Sequence, residues 1–175
     1  MIYVEVIILK ILVTGGSGLV GKELKKQFPD ALFPSSKDLN LLNQDNVRSF
    51  IREENPNYII HLAAQVGNMH DNEQKRCDYL DKNILMNTIL TMEAANYSIT
   101  NFLGILSSAV YSDKINNFPI KEESLHEFMP HTSLRSYAYS KRCHALQLDN
   151  YREVMGLNYN YLIPCNLYGL VQTNK

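Results

Sequence analysis

At 175 residues the chain is long enough for one domain with a sizeable core. Hydrophobic residues make up 45% and charged residues 20%, and a formal net charge of -1 gives no electrostatic footing for nucleic acid or an anionic membrane. Cys77, Cys143 and Cys165 are odd in number and widely spaced, so no disulfide framework or metal spacing is present and a reducing cytoplasm is the expected setting.

Met1 to Leu9 is apolar, carries Glu5 and has no basic leader, so it reads as an N-terminal extension or extra strand rather than a signal peptide or membrane span. Residues 10–175 then form the domain. Ile7 to Val13 reads as a buried strand, and Val20, Leu24 and Phe28, four apart, as a helix with one apolar face. Between them runs Thr14-Gly15-Gly16-Ser17-Gly18-Leu19-Val20-Gly21. Strand, glycine turn and helix are the layout of a dinucleotide phosphate site. Gly15 takes the tight turn, Gly18 lets main chain approach a pyrophosphate, and Gly21 lets helix and strand pack closely. Free N–H groups and the positive end of the helix then face the phosphates, which makes Gly15, Gly16, Ser17, Gly18, Leu19, Val20 and Gly21 the candidate cofactor-binding residues here. A glycine turn with no ligand is the bland alternative, and three glycines at three-residue spacing in this context argue against it.

Ala31-Leu32-Phe33 reads as a short second strand. An acidic residue just after such a strand binds the ribose 2′-hydroxyl of NAD, whereas basic groups accept a 2′-phosphate. Here Ser35-Ser36-Lys37 precedes Asp38, so Ser36 and Lys37 favour NADP(H), although Lys37 alone would suit a solvated turn. Val47 to Arg52 sits in a helix, and Asn57 to Leu62 is a third strand closed by His61-Leu62-Ala63-Ala64. Ala63 and Ala64 are small enough to lie against a flat cofactor, and His61, inside an apolar strand, reads as a core histidine. A long helix is expected over about Asn72 to Tyr97, with Leu80, Ile84 and Thr88 on its packed stripe. Phe102 to Leu106 is a fourth strand, 112–134 an irregular loop, Ser136 to Met155 a helix packing Leu148, Tyr151 and Met155, and Asn158 to Ile163 a fifth strand stopped by Pro164. Repeated strand–helix units imply α/β architecture: a doubly wound parallel sheet, the Rossmann fold, with ligands at the carboxyl ends of the strands.

Tyr137 and Lys141 are four apart, hence on one helix face. A phenol titrates near 10 when unperturbed, and a neighbouring ammonium favours its phenolate. Bringing it to neutrality takes about three pH units, roughly 4 kcal/mol, so Lys141 is expected to act together with a cationic nicotinamide and the helix dipole. Ser107, ending the fourth strand, would hydrogen-bond a reacting carbonyl or hydroxyl. Ser107, Tyr137 and Lys141 in this order after a glycine motif are the arrangement of short-chain dehydrogenases/reductases.

Within that superfamily the chain resembles the GDP-L-fucose synthases. The resemblance is carried by Ile11 to Gly21, Ser35-Ser36-Lys37-Asp38, His61-Leu62-Ala63-Ala64-Gln65-Val66-Gly67, Lys82-Asn83, Ser136-Tyr137-Ala138-Tyr139-Ser140-Lys141-Arg142 and Pro164-Cys165-Asn166-Leu167-Tyr168-Gly169. It implies an NADPH-dependent enzyme that epimerises GDP-4-keto-6-deoxy-D-mannose and reduces it to GDP-L-fucose. Ser107, Tyr137 and Lys141 are then the reductive triad, the glycines hold pyrophosphate, and Pro164 and Asn166 lie near the nicotinamide or sugar. It also implies a homodimer through the two long helices. Two departures follow. The family carries a cysteine acid/base where Ala109 stands, so epimerisation is expected to be impaired. The chain stops at Lys175, before a catalytic histidine and a smaller substrate domain, so only the cofactor half is expected, and residues 170–175 depart from the pattern. Competing readings are a catalytically degenerate dinucleotide-binding module and another nucleotide-sugar 4-epimerase; Ser108-Ala109-Val110 disfavours a dehydratase, which would carry acidic residues there.

Overall fold

The protein is represented by a computed structural model that describes residues 9–169. Strands β1 (Ile11–Thr14), β2 (Tyr58–His61), β3 (Asn101–Ile105) and β4 (Asn158–Leu162) pair in parallel in that spatial order. Most of the expected extension, and the beginning of the expected first strand, lie outside the described residues. The expected second strand contracts to one bridge, Leu32 against Leu12, on the free flank of β1. Leu32 N–H donates to Ile11 O and Val13 N–H to Leu32 O, both at 2.8 Å. Pro34 follows at once and has no N–H to extend the ladder.

Helices α1 (Leu19–Gln27), α2 (Gln44–Glu54), α3 (Met69–Gln74), α4 (Arg76–Asn96) and α5 (Arg135–Met155) connect the strands. Asn43 caps α2 by accepting from Asn46 N–H at 3.0 Å, and α5 stops at Gly156, whose φ of +66° suits a residue without Cβ. Where one helix was expected over 72–97, Lys75 interrupts and separates α3 from α4. The chain steps left from β1 through α1 to Leu32, then rightward through α2, α4 and α5. Right-handed crossovers therefore put α1 on one face of the sheet and the other three on the opposite face.

One row of the sheet explains the core. Leu12, Ile59, Phe102 and Tyr159 stand in register across all four strands and are fully buried. Val47 and Ile51 of α2, Leu90 and Ala94 of α4 and Leu148 of α5 pack on them. The buried stripe of α4 is not the one expected. Leu80, Ile84 and Thr88 are half-buried, while Tyr79, Asn83, Asn87, Leu90, Thr91 and Ala94 face inward. Likewise Leu148 is buried, but Met155 is exposed in the last turn of α5. On the α1 side Ile11 and Val13 are covered, Leu103 and Ile105 are half-buried, and Leu162 is exposed.

Candidate active site

The glycine turn, Ala63, Ser107 and Pro164 follow the carboxyl ends of β1, β2, β3 and β4, and Lys141 reaches the carboxyl end of β3 from α5. After β1 the chain turns at Gly15, with φ +75°, and Gly18 N–H donates to Gly15 O at 3.0 Å. A Cβ on Gly15 would lie 2.7 Å from Ala63 N, and one on Gly21 2.5 Å from Gly15 O and Gly16 Cα. Those two glycines are therefore required by packing. Gly18 differs: an added Cβ would come only to 3.3 Å from Gly15 O. It begins α1 without a side-chain cap, with Ser17 and Gly18 exposed and Leu19 and Val20 half-buried. The first-turn N–H groups of α1 thus have no intrahelical acceptor and open onto a cradle shaped for an anion. These residues fit a dinucleotide diphosphate.

Beyond Leu32, Asp38 is occupied by its own turn. Its Oδ2 accepts from Ser35 Oγ at 2.6 Å and from Ser35 N–H at 3.1 Å, and these bonds hold its carboxyl below the usual range. Ser36 and Lys37 stand exposed beside it. The turn thus ties one carboxylate oxygen of Asp38 and leaves the Ser36 hydroxyl and the Lys37 ammonium exposed next to it.

The row one step beyond the apolar one is Thr14, His61, Gly104 and Tyr161. His61 is fully buried, with Nδ1 2.7 Å from Thr14 Oγ1 and Nε2 3.0 Å from Asn87 Oδ1. Since an amide oxygen only accepts, Nε2 carries the proton and the Thr14 hydroxyl donates to Nδ1. Burial, and then the Lys141 charge, push His61 down to about 3, so it is neutral at physiological pH. It is the core histidine expected. Ala63 N–H reaches Thr14 Oγ1 at 3.4 Å, and Asn83 pins the following loop by accepting from Gln65 N–H at 2.7 Å and donating to Gln65 O at 2.9 Å. Ala63 and Ala64, half-buried, are thereby held against the glycine turn.

Ser107 follows β3 and caps a single 3-10 turn, Ser108–Val110, its Oγ accepting from Ala109 N–H at 3.2 Å. Ser108 N–H donates to Pro164 O at 3.0 Å, which draws the end of β4 beside the serine; Asn166, two residues on, is exposed. Because α5 returns antiparallel to the strands, its first turns bring Tyr137 and Lys141 to the same rim. Lys141 Nζ donates to Ile105 O at 2.7 Å and lies 5.8 Å from the centroid of the Tyr137 ring. Without a cofactor, burial pushes Tyr137 up to about 12 and Lys141 down to about 8.

Sequence reasoning missed three residues that shape this rim: Asn83 and Asn87 of α4, and Arg142 of α5. A signal existed in the polar residues Asn83, Asn87 and Thr91, four apart on a helix otherwise expected to bury apolar groups. Among the described residues no cluster of His, Cys, Asp or Glu could hold a metal ion, and no helix is long and apolar enough to cross a membrane.

Residues 11–175 match the NAD dependent epimerase/dehydratase family. The chain belongs to that family. Among curated members, a probable GDP-L-fucose synthase of Drosophila melanogaster is 36% identical over 167 residues, 91% of this chain and 52% of its own length. A GDP-L-fucose synthase of Dictyostelium discoideum is 32% identical over 166 residues, again 91% against 52%. The chain thus spans about half the length of the curated relatives it matches. In three dimensions, a GDP-L-fucose synthetase of Naegleria fowleri bound to NADP superposes with a TM-score of 0.79 at 34% identity, over 91% of this chain and 51% of that one. The match to the epimerase/dehydratase family starts at Ile11, the first residue of β1, and runs through the glycine cradle, the Ser107 turn and α5.

Proposed function

We propose that this chain carries the cofactor half of an NADP(H)-dependent nucleotide-sugar epimerase/reductase acting on a GDP-4-keto-6-deoxymannose type of substrate. The observation that supports it is the convergence of the Gly15–Gly21 cradle, Ser107, Tyr137 and Lys141 on one rim of the sheet, in a chain similar to GDP-L-fucose synthases. Bound NADPH would supply hydride. Gly16 to Val20 would hold its diphosphate, Ser36 and Lys37 its 2′-phosphate, and Ala63, Ala64, Pro164 and Asn166 would line the path to its nicotinamide. Tyr137, raised by burial, is the protonated phenol that a carbonyl reduction needs as proton donor at neutral pH. Lys141, the neighbouring cation, limits the cost of the phenolate left behind, and Ser107 Oγ orients the carbonyl oxygen. Ala109 places a methyl group where proton transfer at the sugar ring would be needed, so reduction is favoured over epimerisation.

The test is calorimetric titration with NADPH and NADH, followed by keto-sugar-dependent oxidation of NADPH. Tighter binding of NADPH, with turnover that Tyr137→Phe abolishes without weakening binding, supports the reading. Binding without any turnover in the wild-type chain supports a dinucleotide-binding module instead.

A homodimer through α4 and α5 is part of the same reading. Leu85 of α4 and Leu146 of α5 are exposed by 50% and 53%, and a cavity of about 250 Å³ lies in the groove between the helices. Sedimentation equilibrium should find a dimer that Leu146→Glu dissociates. Exposed, unpaired Cys77, Cys143 and Cys165 suit a reducing cytoplasm.

A further inference from the structure

Arg142 is buried to 5% exposure, and its guanidinium bonds end on main-chain carbonyls. Nε and Nη2 donate to Val110 O at 2.9 and 2.6 Å, Nη1 to Phe128 O at 2.8 Å, and Nη2 also to Glu127 O at 3.2 Å. These acceptors are the two feet of one loop. Val110 closes the turn that Ser107 caps, and Glu127 and Phe128 are where the chain returns to α5. Val110 is also anchored from within, in a buried cluster with Leu106, Leu125 and Ala145. Phe128 has φ +50°, a left-handed conformation that costs a residue with a side chain about 1–2 kcal/mol and persists only where its surroundings enforce it. The carbonyl of that strained residue is one that Arg142 grips.

Neighbouring residues of α5 therefore hold both sides of Ser107. Lys141 takes the carbonyl of Ile105, two residues before it, and Arg142 takes the carbonyl of Val110, three residues after it. We infer that Arg142 is a positioning residue: its planar fork fixes the Ser107 turn against the helix that carries Tyr137 and fastens the 111–127 loop at its two feet. The inference rests on the reading of Ser107 and Tyr137 given above for its catalytic consequence, but the clasp itself does not. Lysine does not reproduce the fork, because one nitrogen would stand for the three that donate from separate positions to the Val110, Phe128 and Glu127 carbonyls.

The test compares wild type, Arg142→Lys and Arg142→Gln. With Arg142→Lys, kcat for keto-sugar reduction should fall about 10- to 100-fold, since misplacing a reacting group by an ångström has that effect. NADPH affinity should stay within about twofold, because Arg142 touches no residue of the glycine cradle. Amide hydrogen exchange at 108–111 and 127–129 should accelerate in both variants while β1 and β2 keep their protection. Unchanged kcat together with unchanged exchange at 108–111 would overturn the inference. If wild type reduces no keto-sugar, the functional reading fails while the exchange result still judges the clasp. If neither variant folds, native-state exchange of wild type decides: amides 110–112 and 127–129 must open together with the first turns of α5, and independent opening refutes the clasp.

Discussion

Acidification from pH 7 to pH 5 is expected to destabilise the fold through His61. Its imidazole titrates near 6.5 in the unfolded chain and is pushed to about 3 in the native one, by burial first and the Lys141 charge second. A depressed native pKa means that the unfolded chain binds the proton more readily. The stability is therefore fully present above pH 6.5 and drains away as the pH falls toward 3. Over the interval from pH 7 to 5 the linkage integral gives about 2 kcal/mol for this one residue. His144, fully enclosed beside it and lowered by burial, then by His61 and Lys141, acts in the same direction. Glu93 and Asp38, both lowered, lose their contributions only below their unfolded values of 4.5 and 3.8, so the chosen interval isolates the imidazoles. Against a total stability of about 5–15 kcal/mol, the loss is a large fraction. Urea denaturation followed by far-ultraviolet circular dichroism measures it. With a slope of about 1–3 kcal/mol per molar urea, His61 alone should lower the midpoint by about 1 M, and His144 adds to that fall. His61→Gln, which cannot take up a proton, should be less stable at pH 7 but flatter between pH 7 and 5. A wild-type midpoint that does not move between these pH values, or a variant with the wild-type slope, refutes the reasoning.

The glycine cradle gives a contrasting pair. Gly21→Ala forces a Cβ to 2.5 Å from main-chain atoms and should lower stability by about 1–3 kcal/mol, read as a lower melting temperature. Gly18→Ala meets only Gly15 O at 3.3 Å and should keep the fold while weakening NADPH by at least about tenfold in titration calorimetry. Lys37→Ala should lower affinity for NADPH and leave NADH unchanged, and an equal loss for both would remove the 2′-phosphate assignment. Glu93 is buried at the foot of α4, where Gln44 Nε2 reaches it at 2.7 Å and Arg48 Nη2 at 3.0 Å, tying α2 to α4. Glu93→Ala should cost about 1–3 kcal/mol in urea denaturation without altering NADPH affinity.

The rim of the sheet was legible in the sequence because its demands are local. A tight turn, a close main-chain approach and a helix start are written into Gly15, Gly18 and Gly21 themselves, and a four-residue interval places Tyr137 and Lys141 together whatever surrounds the helix. The interior of α4 was not legible. Periodicity counts apolar side chains, whereas this helix buries Asn83, Asn87 and Thr91 because each has a partner on another element: Gln65, His61 and His144. Those partners are remote in sequence, so the stripe reads as a surface face until the strands are in place. The same holds for Arg142, whose three acceptors are carbonyls and leave no side-chain signature. The lost second strand is a different failure: Ala31-Leu32-Phe33 has strand character, but Pro34 removes the next donor. The rise that burial alone imposes on Tyr137 was not legible, because burial is invisible in a four-residue interval.

The polar row Thr14, His61, Gly104 and Tyr161 then has a common explanation with the site. A Cβ on Gly104 would lie 2.8 Å from Leu148 Cδ1 and 3.0 Å from His144 Cε1, so the missing methyl makes room for both side chains beneath α5. Lys141 enters the same layer and reaches Ile105 O from it. Three ionisable groups cannot all be cationic within one low-dielectric pocket. Burial suppresses both imidazoles, the Lys141 charge suppresses them further, and the lysine keeps the one positive charge, at about 8, beside the phenol ring. That charge is held by the Ile105 carbonyl, with the Tyr137 ring centroid 5.8 Å away. The acid sensitivity of the fold and the single positive charge kept in this layer at neutral pH are consequences of the same buried row.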